Sequence, residues 1–99
     1  MKYVITWENL PNLTEESAKR SLQVFGKWSP SHPEHFQAFL GRIDGHGGFA
    51  VVETDDATEI ARDTAPFTPW FEFHVYPCLE IADSAAINGE ALAFAESVS

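Results

Sequence analysis

Residues 36–54 read FQAFLGRIDGHGGFAVVET, two apolar runs on either side of Asp44-Gly45-His46-Gly47-Gly48. Glycines in that position predict a hairpin turn, because tight turns need positive φ angles and glycine adopts them without steric cost. The reading gives a strand from His35 to Ile43, short and carrying two phenylalanines, and a returning strand from Phe49 to Thr54. The cluster is not a phosphate loop: it joins strand to strand and lacks the Gly-Lys-Ser/Thr ending.

Upstream of the hairpin, Lys2 to Glu8 is short and rich in β-branched and aromatic residues, which predicts a strand. A loop follows from Asn9 to Leu13, around Pro11. Thr14 then caps a helix with Glu15 and Glu16 at its positive end and Ala18, Leu22 and Phe25 at helical spacing. Gly26 and the Ser29–Pro33 run end it. Downstream, Asp55 and Asp56 can cap a second helix from Ala57 to about Ala65, with Ala57, Ile60, Ala61 and Ala65 inward and Pro66 and Pro69 closing it. Trp70 to Leu79 alternates aromatic and polar residues as a fourth strand. Ala82 to Val98 has a helical period, with Gly89 as its weak point. The order is βαββαβ plus a C-terminal helix, an α+β ferredoxin-like arrangement with a four-stranded antiparallel sheet, and residues 1–99 are expected to form one domain.

Composition narrows the setting. Fifteen acidic against six basic residues give a formal charge of −9, which repels phosphate backbones and anionic lipid heads, so neither nucleic acid nor a membrane surface is an expected partner. Phe71 and Phe73 superficially resemble the stacking aromatics of an RNA-recognition sheet, but the basic-glycine-aromatic motif of such modules is missing. No apolar run is long enough to span a bilayer, and the first residues do not read as a secretory signal, so a cytoplasmic location is expected. Cys78 has no partner for an intrachain disulfide and reads as a buried, inert thiol.

Two helices cover one side of such a sheet, and the other side must meet water, a ligand or another subunit. In the fourth strand Phe71, Phe73 and Val75 should face the helices, leaving Glu72, His74 and Tyr76 outward. A turn centred on Gly45-His46 would set Arg42 opposite Phe49, Leu40 opposite Val51 and Ala38 opposite Glu53. The open face would then carry Phe36, Leu40, Arg42, Val51 and Glu53, a mixture suited to cover by a second copy of the chain.

The segment Gly41 to Asp56, with Met1-Lys2-Tyr3-Val4-Ile5-Thr6-Trp7 and Val75-Tyr76-Pro77-Cys78-Leu79, resembles a bacterial family, domain of unknown function 3303, over nearly the whole length. The resemblance implies the dimeric α/β-barrel type of ferredoxin-like protein, in which two sheets face each other around a cavity. It brings no established catalytic residues, and the isomerase and monooxygenase signatures of that class are not matched.

The residues themselves supply the candidates. Arg42 beside Glu53 in a dry cavity could hold an anionic ligand or polarise a carbonyl, or could simply be an ion pair at a dimer seam. His74, with Glu72 and Tyr76 on its side of the strand, has the chemistry of an acid or base near neutral pH, and Glu53 is a second catalytic candidate; the plainer reading of His74 is a hydrogen-bonded interface histidine. Arg42, Glu53, Glu72, His74 and Tyr76 are therefore the expected ligand-binding set. His32-Pro33-Glu34-His35 has a gap a metal could span, but its prolines argue against both imidazoles sharing a helix face; these read as surface-loop histidines, and no metal or cofactor is assigned. Trp7, Trp28 and Trp70 read as core aromatics or as pocket lining. The expectation is a homodimer holding a small, partly apolar molecule between its sheets. The alternatives are a cofactor-free isomerase or monooxygenase, and an interaction protein without a pocket.

Overall fold

A computed structural model describes residues 1–98. The elements are β1 (Lys2–Asn9), α1 (Glu15–Lys27), a short 3-10 helix (Pro33–His35), β2 (Phe36–Gly41), β3 (Gly47–Glu53), α2 (Thr58–Thr64), a second 3-10 helix (Ala65–Phe67), β4 (Phe71–Cys78) and α3 (Ile81–Ser97). The sheet runs β2-β3-β1-β4 and is antiparallel throughout. Each central strand thus separates the two strands of the other split βαβ unit, which is the ferredoxin-like topology.

Local chemistry sets the helix starts. Thr14 accepts from the Ser17 amide at 3.1 Å while the Ser17 hydroxyl accepts from the Thr14 amide at 2.8 Å, a capping box with serine in the third position. Asp56 accepts from both the amide and the hydroxyl of Thr58 at the start of α2. The N-cap position itself is Ala57, which has no side-chain cap; of the two expected caps, Asp56 serves the start of α2 from the position before it, while Asp55 sits 3.6 Å from the N-terminal ammonium.

The hairpin differs from expectation in register. Arg42 donates to the Gly47 carbonyl and Gly45, at φ 75°, donates back to Arg42, so the turn centres on Asp44-Gly45. Leu40 faces Phe49 and Ala38 faces Val51, a slide of two residues that keeps the side chains from Ala38 onward on their expected side. Only Gly45 serves the turn. Gly47 and Gly48 already belong to β3, where a side chain would overlap the Trp7 carbonyl at Gly47 and the Trp7 indole at Gly48. A register shift between Phe36 and Ala38 turns Phe36 to the helix side, against its expected place on the open face.

Ile5 lies between Ala50 and Val75 across the strands, and Ile5, Ala50 and Val52 meet Ile60 of α2 to form the core, with Tyr3, Trp7, Phe36 and Phe73 packed against it. The opposite face, with Leu40, Phe49, Val51, His74 and Tyr76, is uncovered. Helix α3 lies clear of this body: of its described residues, Ser84 is half-buried and the rest are exposed. With it the chain extends over 62 × 29 × 22 Å and has a radius of gyration of 17.9 Å, against about 13 Å for a compact domain of this length. No described helix is long and apolar enough to cross a membrane.

Candidate functional site

Alternation along the strands sends the aromatic set to the helix side, and the helices do not close down on it. The result is a cavity of about 280 Å³ between α1, α2 and the sheet. Trp7, Phe39 and Phe73 come from the sheet, Phe25 and Trp28 from α1 and its cap, and Phe67 from the second 3-10 helix. The rings hold one another edge to face: Trp28 meets Phe67 at 5.3 Å and Phe39 at 6.2 Å, and Trp7 meets Phe39 at 5.7 Å. Leu22 and Phe25 are exposed at its rim, 70% and 49%, so the cavity opens beside α1.

Three polar side chains reach this cavity, and each is engaged. Ser21 donates to the Ala18 carbonyl, Thr64 donates to the Ile60 carbonyl, and Asp63 accepts from the amide and hydroxyl of Ser31. The site is thus an aromatic box that suits an apolar, flat molecule; it offers no paired acid and base.

The residues expected to bind a ligand lie elsewhere. Arg42 and Glu53 do not form a pair: Arg42 reaches Glu8 at 3.5 Å and Asp44, whereas Glu53 accepts from Gln37 at 2.7 Å. They stand at opposite ends of the hairpin, about 20 Å apart, because Arg42 meets Gly47 at the start of β3 and Glu53 lies at its end. Glu72, His74 and Tyr76 do form a row on the outer side of β4. His74 Nε2 is 3.6 Å from Glu72, and its ring stacks on Tyr76 at 6.3 Å. Cys78, at the end of β4, is half-buried instead of buried. Trp7 and Trp28 line the cavity, while Trp70 precedes β4 outside it.

A second cluster lies at the start of β2. His32 and His35 stack at 4.7 Å, His35 Nδ1 is 2.8 Å from Oε2 of the buried Glu59, and Glu34 is 3.0 Å from His32. The prolines therefore did not keep the two imidazoles apart. The hydrogen bond that His35 donates to Glu59 raises the pKa of His35 against the opposing effect of burial, and the same bond holds the Glu59 carboxyl below its usual range. Sequence reasoning missed Glu59, which sits 24 residues away in α2 and carries no local motif.

The topology and the aromatic box define a small α+β ferredoxin-like protein with a hollow between its layers. The model of the family domain of unknown function (DUF3303) matches residues 1–92, and the chain belongs to that family. No curated protein matches it.

Proposed function

We propose that the protein is a cytoplasmic homodimer that binds a small, flat, largely apolar molecule. Its binding site is the hollow between helices and sheet, not the space between two sheets. The observation that carries this reading is the cavity of about 280 Å³ walled by aromatic rings, near the lower end of the roughly 300–1,000 Å³ of small-molecule sites. Engagement of Ser21, Asp63 and Thr64 in hydrogen bonds to other parts of the chain supports binding over turnover.

Homodimerisation draws its support from the open sheet face. Leu40 and Phe49, 60% and 46% exposed, are neighbours across β2 and β3, and Tyr76 is 51% exposed on β4. A contiguous apolar surface on so small a domain favours cover by a like face. A dimer of the α/β-barrel type would follow from that contact.

Calorimetric titration with 2-naphthol tests the pocket, with one molecule bound per chain as the expected result. Ala50→Leu, which fills the cavity floor, should abolish the heat while circular dichroism and the unfolding midpoint confirm a folded protein. No binding by the native chain, or equal binding by the folded variant, would refute the reading.

A further inference from the structure

His32-Pro33-Glu34-His35 folds as a single 3-10 turn, with Pro33 at the first position, where its fixed φ suits and its missing N–H is not needed. Side chains three residues apart eclipse in such a turn. That is why His32 and His35 stack, with the His35 amide donating to the His32 carbonyl at 3.0 Å. Glu34 turns in beside them, and one donor atom from each of the three lies within 4.8 Å of the other two.

The donor spacing fits an ion. His32 Nδ1 is 3.0 Å and His35 Nε2 is 3.9 Å from the same Glu34 oxygen. Ligands about 2.0–2.1 Å from a tetrahedral zinc ion stand about 3.3 Å from each other, so the donors are within reach, and binding turns the two imidazoles out of their parallel stack until both lone pairs point at the ion. The fourth participant is Glu59, whose side chain is only 10% exposed. As a carboxylate it accepts from His35 Nδ1, which puts the proton there and leaves the Nε2 lone pair facing His32 and Glu34. A carboxylate behind a metal-binding imidazole does this in many metal sites. Glu53, Asp55 and Asp56 line the adjoining groove with His35 and Glu59, so the field around the cluster favours a cation.

We propose that His32, Glu34 and His35 bind a divalent transition-metal ion of the zinc type, with Glu59 orienting His35 and at least one coordination position left open to solvent. Two imidazoles and one carboxylate select such an ion over magnesium or calcium, which prefer all-oxygen sites. The site stands apart from the aromatic cavity and does not depend on its occupant.

Chelator-treated, tag-free protein titrated with cobalt(II) should take up one ion per chain and develop visible ligand-field absorption, which excess zinc abolishes and magnesium does not. The double variant His32→Ala/His35→Ala should lose that signal. Glu34→Gln, at a side chain 66% exposed, should retain the fold and bind at least tenfold more weakly. Glu59→Gln should keep the stoichiometry with affinity lowered about 10–100-fold, the usual effect of removing an outer carboxylate. No uptake by the native chain, or undiminished uptake by the double variant or by Glu34→Gln, overturns the site; native affinity in Glu59→Gln overturns the orienting role.

Discussion

The indole of Trp7 lies directly against the backbone of Gly48, leaving no space for a side chain: a methyl group there would overlap both the ring and the Leu40 carbonyl oxygen. Trp7 and Gly48 are also partners across β1 and β3, so the pair fixes both the strand register and one wall of the cavity. Gly48→Ala should destabilise the protein by about 1–3 kcal/mol, the range for forcing extra volume into a packed site. Urea unfolding measures this, and a midpoint equal to that of the native chain would contradict the close approach.

Phe67 is the aromatic of the box that is most withdrawn from water, 7% exposed, and it meets both Trp28 and Phe25. Its truncation adds a void to an existing one and removes edge contacts from both rings. Phe67→Ala should cost about 3–5 kcal/mol, typical of large-to-small changes at buried phenylalanines. In a domain whose total stability is on the order of 5–15 kcal/mol, that is a large share, readable as a fall in the urea midpoint.

Asp56 links acid stability to the start of α2. The Thr58 hydroxyl, and next its amide, hold the Asp56 carboxyl below its ordinary value of 3.8. Since the folded pKa lies below the unfolded one, the contribution is fully present above the ordinary value and is lost as pH falls through the lower folded value. Asp56→Asn should therefore be less stable than the native chain at pH 7, with the difference shrinking in acid as the native carboxyl protonates. Thermal unfolding at a series of pH values checks this; a difference constant down to strong acid would remove Asp56 from the account.

Leu40 and Phe49 oppose each other on the uncovered face. If that face joins two chains, Leu40→Glu with Phe49→Glu brings four carboxylates into one desolvated seam, a cost that Arg42, already engaged by Glu8 and Asp44, does not offset. Light scattering should give twice the chain mass for the native protein at micromolar concentration and the single mass for the double variant, with unchanged circular dichroism. A native monomer would end the dimer proposal.

Much of the fold was legible because alternation and capping are local. Thr14 and Asp56 mark the helix starts, the parity of Phe71, Phe73 and Val75 separates the two sheet faces, and parity survives a slide of two residues. What was not legible depends on distance in space. Phe36 changes sides through a bulge at Gln37, where no glycine or proline announces it. Arg42 and Glu53 share a face without sharing a neighbourhood, because the length of β3 separates Glu53 from Gly47, which Arg42 meets. The cavity was hidden for a different reason: Trp7, Phe39 and Phe73 carry the signature of core residues, and nothing in a sequence distinguishes rings that fill a space from rings that surround one. His35 and Glu59 meet through tertiary packing alone, and a metal motif written only in residues 32–35 lacks the group that aims its second imidazole.

Helix α3 makes the outline of a lone chain long for its mass. Such a particle experiences high drag and sediments slowly. Pairing of two chains that also gathers in the helix would double the mass while lowering the frictional ratio, whereas pairing through the sheets alone would leave two protruding rods and a high ratio. Sedimentation velocity would thus separate the joining of the bodies from the seating of the helix, which mass alone does not distinguish.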